Sequence, residues 1–164
     1  MYHWLVYLHV LATFAFLLTH GVSSVVALRL RRQRDPAVAQ AWLELNTSGG
    51  VIAALYGSLL ALLISGIISG FMGDWWGNGW IWLSLLLLIG IIVSMFLIGS
   101  RHYSRIRKAL GMAWFDGRKA QPPVAPASAE EIEALLAKAP AITLAVIGFG
   151  GIAVILWLMM FKPF

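Results

Sequence analysis

No cysteine occurs among the 164 residues. Disulfides, thiolate metal sites, iron–sulfur clusters and covalently attached c-type haem are therefore excluded. Charge is also scarce. Asp, Glu, Lys and Arg make up 12% of the chain, against 60% hydrophobic residues. No soluble domain of this length needs that much apolar surface. No hydrolase, kinase, nucleotide-binding or metalloprotease motif is present, so no catalytic residues stand out. The apolar run from Tyr2 lacks a preceding basic region and is too long for a signal-peptide core, so it reads as a retained span.

The most informative absence is local. Four stretches, 1–28, 45–73, 75–100 and 139–161, contain no charged residue. Each exceeds the ~20 residues that carry a helix across ~30 Å of hydrocarbon. The expected fold is all-α: one four-helix membrane domain over 1–164, with spans at about 3–28, 48–72, 80–100 and 141–161. With no carboxylate or base inside a span, a charge-driven pump or proton-coupled carrier is disfavoured.

The charges that do occur are sharply placed. Eleven of the twelve Lys and Arg residues fall in 29–34 and 101–138. Basic loops stay cytoplasmic. Both termini are thus expected outside, and 101–140 is expected as a cytoplasmic linker, in the inner (plasma) membrane of a bacterium. The bases adjoin span ends, so the net charge of +5 reads as a topology signal and anionic-lipid contact, not as a nucleic-acid surface. Asp35-Pro36 opens a short segment, 36–45, expected as an interfacial helix with Trp42 towards the headgroups. Gln121–Ala127 holds three prolines and reads as irregular, while Ser128-Ala-Glu-Glu131 is a capping box opening an amphipathic helix with Ile132, Leu135 and Leu136 on one side.

Small residues recur at every fourth position of the second span: Gly49, Ala53, Gly57, Ala61, Ser65 and Ser69. Such ladders let helix backbones approach closely in lipid, so this one is expected to pack the bundle. Trp75, Trp76, Trp80 and Trp82 surround a Gly-Asn-Gly turn and read as an aromatic belt at the outer interface, or as a contact for a quinone or pigment.

The residues with chemistry are His9 and His20, both in the first span. Eleven residues are about three helical turns, so the two differ by only ~20° around the axis and ~16 Å along it. Thr13, Phe16, Ser24 and Ala27 share their stripe. A polar face inside a membrane points into the bundle. Two readings follow. The histidines can hydrogen-bond across helices to Ser58, Ser65, Ser69, Ser84 or Ser94, or they can ligate haem, one near each surface. His3 and His102 match neither height well, and Met159 or Met160 is a possible opposite ligand for His9.

The run Trp4-Leu5-Val6-Tyr7-Leu8-His9-Val10-Leu11, with Gly21, the arginine cluster, the Gly79-Trp80 pair before the third span and His102 after it, resembles a group of small bacterial membrane proteins. The group includes the copper-resistance protein D-like family and the four-helix, HemJ-type protoporphyrinogen oxidases, together with uncharacterised relatives, to which the resemblance is closest. It covers residues 3–105. It implies b-type haem on the histidine matching His9. The oxidases also need a lysine in the third span, where this chain has Ser84. The expectation is a small subunit or accessory of a membrane redox or electron-transport system, with haem b on His9 or His20, held in the lipid bilayer with other membrane subunits or as a homo-oligomer. The alternatives are a purely structural assembly subunit without cofactor, and copper or small-solute handling.

Overall fold

A computed structural model describes all residues, 1–164. Four helices are long and apolar enough to cross a membrane. The first is α1 (Tyr2–Leu30). The second is α3 (Gly49–Met72). The third begins as α4 (Gly79–Ser94), widens into a π-helical turn at Met95–Ser100, and continues as α5 (Arg101–Ala109). The fourth begins as α7 (Ala141–Ala145), widens at Val146–Gly150, and ends as α8 (Gly151–Phe161). Large apolar side chains cover the outside of the bundle, among them Phe14, Leu18, Leu60, Leu86 and Val146. A surface of this kind calls for hydrocarbon rather than water.

The spans pack as two pairs. α1 lies along α3, and α4 lies along α8. The pairs join near the basic end, where α7 meets α1 and the π-helical turn of the third span. Towards the tryptophan-rich end they separate, and side chains bridge the gap.

Beyond the basic ends of the spans sits a cap with its own core. It is built from α2 (Pro36–Asn46), α5, a two-residue hairpin of β1 (Trp114–Phe115) and β2 (Ala120–Gln121), and α6 (Ala129–Ala137). Asp35 caps α2 by accepting from the Ala37 N–H at 2.9 Å, with Pro36 at the first turn. Ser128 caps α6 by accepting from the Glu131 N–H at 3.3 Å. Val26, Leu30, Leu43, Ile106, Leu110, Ile132 and Leu136 close over one another. Each fully buried aliphatic side chain here is worth ~1.5–3 kcal/mol. Arg34 pairs with Glu133 at the surface, tying α6 to the end of α1.

Segment 101–140 is therefore a packed element and not a linker, apart from the irregular stretch around the prolines. Trp42 is half-buried and packs against the cap core, on the face of α2 that Ala39 and Leu43 turn inward.

The small-residue ladder does not stay on one face. A step of four residues overshoots a helical turn by ~40°, so five steps carry the row ~200° around the axis. Ser65 and Ser69 are buried, with Ser58 and Gly70, while Gly49, Ala53, Gly57 and Ala61 are exposed. A Cβ on Gly49 or Gly57 would meet nothing within 4 Å. The inward row is Ser58, Ser65 and Ser69, at coiled-coil spacings of seven and four. Ala53, Gly57 and Ala61 line an open groove of about 640 Å³ between α1 and α3.

Candidate functional site

Where the two helix pairs separate, they enclose a cavity of about 500 Å³. His9, Thr13, Gly66 and Ser84 line it between its two ends, Leu17 and Leu88 line it further towards the basic end, and Met159 and Met160 line it from α8. Its mouth carries Tyr2, His3, Trp75, Trp76, Trp80 and Lys162. The remaining lining is mostly aliphatic, and the volume is in the range that holds a cofactor-sized molecule.

His9 is fixed by its neighbours. Its Nδ1–H donates to the Leu62 carbonyl at 2.9 Å. A carbonyl only accepts, so Nδ1 carries the proton and Nε2 keeps its lone pair. The Ser65 hydroxyl lies 3.4 Å from the same Nδ1. Thr13 Oγ1 donates to the His9 carbonyl at 2.8 Å, which occupies the hydroxyl one turn on. The Cε1–Nδ1 edge of the ring sits against Gly66, where a Cβ would come within 2.9 Å of Cε1. Nε2 makes no hydrogen bond and, unlike its counterpart in His20, is not fully enclosed. One nitrogen tethered to a carbonyl and the other free is the usual posture of a metal-ligating histidine.

His20 has a different environment. It stacks on Phe16, with centroids 5.9 Å apart, and meets the edge of Phe149 at 5.1 Å. Its Nε2 is buried without a partner, pressed against Gly148 in the π-helical turn of the fourth span beside the Met95 methyl. It lines neither the cavity nor the groove. The two histidines thus share a helix face but not a site. His9 lies against α3 at the cavity, and His20 wedges under the fourth span. His102 is remote from both, its Nε2–H donating to the Leu135 carbonyl in the cap at 3.0 Å.

The tryptophans also divide. Trp80 is buried and Trp75 and Trp76 wall the cavity, whereas Trp82 faces outward, its indole donating to the Trp76 carbonyl at 3.0 Å. Ser84 is buried in the cavity wall, its hydroxyl donating to the Trp80 carbonyl at 2.8 Å. The Ser69 hydroxyl and the Trp76 indole N–H, both on lining residues, have no partner. No group of three or more His, Cys, Asp or Glu side chains gathers to hold a bare metal ion. Neither a family model nor a curated protein nor a solved structure matches the chain.

Two residues that composition and spacing do not single out are Leu62, whose role lies in its backbone carbonyl, and Lys162. A carbonyl's role leaves no trace in residue type. Lys162 is marked only as the lone base outside the two basic segments.

Proposed function

We propose that the chain is a small membrane haem protein, a subunit or accessory of an electron-transfer system, with His9 as the axial ligand. The observation that carries this reading is the His9 posture: Nδ1 tied to Leu62, Nε2 free, on the wall of an apolar cavity. The resemblance to haem-binding four-helix proteins at His9 points the same way. The residues fit a flat apolar group. Gly66 offers a smooth surface beside the ring, aliphatic side chains and tryptophans form the walls, and Met159 and Met160 supply thioethers on the opposite helix pair. Haem bound there would supply one-electron chemistry. His9 would fix its height and orientation, and the apolar walls would keep water from it.

In the same reading the cavity opens on the outer face of a bacterial inner membrane, because eleven of twelve bases sit at the opposite end. A phosphatase reporter active only outside the cytoplasm, fused after Phe164, should be active, and one fused at Ala120 silent; the reverse pattern refutes the orientation. The haem reading is tested by purifying the protein in detergent from cells supplied with haem precursor. A Soret band that sharpens and shifts on dithionite reduction is expected. A colourless protein rules the reading out.

A second reading, an assembly subunit, draws on the groove between α1 and α3. Its floor of Ala53, Gly57 and Ala61 is smooth enough for another transmembrane helix. Co-purifying membrane subunits in stoichiometric amount support it, and a monomer at all detergent concentrations refutes it.

A further inference from the structure

Lys162 is the single lysine or arginine at the tryptophan-rich end of the molecule. It lines the same cavity as His9, at the end where the tryptophans gather. Its ammonium stands 4.0 Å from the centroid of Trp75 and 5.7 Å from that of Trp80. No carboxylate pairs with it, since the only ion pair in the structure joins Arg34 to Glu133, and Asp74, the acid of the tryptophan-rich loop, makes none.

The fold positions this side chain. Lys162 ends α8 in the left-handed conformation, φ 46°, and its N–H donates to the Leu158 carbonyl at 2.9 Å. A non-glycine residue takes that conformation at a cost, so the surroundings must hold it there. Two contacts beyond it do so. The Phe164 carbonyl accepts from the Trp80 N–H at 3.3 Å, and the Phe164 ring lies over Gly79, within 2.8 Å of where a Cβ would be. The tail after α8 is thereby folded onto the start of α4, with the ammonium aimed across the cavity mouth.

The ammonium lies against the indole faces of Trp75 and Trp80 while the residue stays exposed, so one side remains open to an arriving anion. An anion entering beside it gains a charge-assisted contact, with the apolar cavity wall beyond it. Tyr2, at the mouth, lies seven residues from His9, or ~10 Å along the helix. The cavity is thus apolar with a cation at its opening, a shape that suits an amphiphile lying along it, acidic end outward.

We propose that Lys162 receives the carboxylate of an amphiphilic cavity ligand. The proposal deepens the haem reading, in which the macrocycle's carboxylates would take this place, but it stands on the cation and the cavity alone. A membrane fatty acid presents the same chemistry, so both sources are tested.

The protein in nanodiscs of zwitterionic lipid is titrated with four probes: haemin, haemin dimethyl ester, cis-parinaric acid and its methyl ester. Quenching of, or energy transfer from, the cavity tryptophans reports binding. The wild type is expected to favour each acid over its ester by about tenfold or more. Lys162→Gln should erase the preference and leave ester binding unchanged, and Lys162→Arg should retain it, with both variants matching the wild type in thermal melting. Equal affinity for acid and ester in the wild type, or an undiminished preference in Lys162→Gln, overturns the proposal. If haemin does not bind but the fatty acid shows the Lys162-dependent preference, the carboxylate site stands and the haem reading falls. If haemin binds no better than its dimethyl ester, and cis-parinaric acid no better than its methyl ester, the reverse holds. If no probe binds, both fall.

Discussion

The Nδ1–H of His9 donates to the backbone carbonyl of Leu62 across the α1–α3 interface, at 2.9 Å. That carbonyl belongs to the α-helical ladder of α3, while the Ser65 hydroxyl, 3.2 Å away, donates to the nearer Ala61 carbonyl. A carbonyl has two lone pairs, so it can serve the helix and the histidine together. The result is one imidazole held in one tautomer by backbone, with the free nitrogen on the cavity side.

Gly66 sets the position of that ring. A Cβ there would lie 2.9 Å from His9 Cε1 and 3.1 Å from Nδ1, so Gly66→Ala must push the ring off its acceptor. Overpacking of this kind costs ~1–3 kcal/mol. Gly66→Ala should lower thermal stability in detergent and weaken haem binding at least tenfold in a titration. Unchanged affinity would mean that the ring has room to move.

Gly148 plays the matching part for His20, and it is tighter, because a Cβ would collide with both Nε2 and the Met95 methyl. Gly148→Ala should therefore destabilise the bundle more than Gly66→Ala does. Removing the imidazole makes room, so the pair His20→Ala/Gly148→Ala should be less destabilised than the sum of the single variants. A double-mutant cycle in chemical or thermal unfolding measures that coupling. Strict additivity would place His20 away from Gly148.

Gly57 and Leu136 give a contrast that separates lipid-facing from packed positions. Gly57 faces open space, so Gly57→Ala should change the stability of the isolated chain by less than ~0.5 kcal/mol. Leu136 is completely buried in the cap, so Leu136→Ala should cost ~2–5 kcal/mol. Melting temperatures of both variants in one detergent decide the matter. A large loss at Gly57 would show that a second helix occupies the groove.

The spans were legible because exclusion of charge from ~30 Å of hydrocarbon is a strong constraint on composition. Their pairing was not. The ladder from Gly49 to Ser69 was conspicuous by type, yet its four-residue period winds around the helix, and the quieter row of Ser58, Ser65 and Ser69 faces inward. The cap was hidden for another reason. Leu43, Ile106 and Leu136 come from three short segments, each too sparsely apolar to announce a core, and they close only on Val26 and Leu30 at the end of a span. At the site, the depth match of His9 with Gly66 and Ser84 could be counted along the helices, and both line the cavity with it. The cavity itself arises from the divergence of two helix pairs, which no local pattern encodes. The shared stripe of His9 and His20 likewise gave no hint that one would meet α3 and the other the fourth span.

The central claim is that His9, and not His20, presents a free nitrogen to a ligand in the cavity. The most direct measurement is haem content per protein, by pyridine haemochrome, in wild type, His9→Ala and His20→Ala purified side by side from haem-supplied cells. The account predicts haem in the wild type and in His20→Ala, and its loss from His9→Ala. Haem retained in His9→Ala, or a wild type that never holds any, would contradict it.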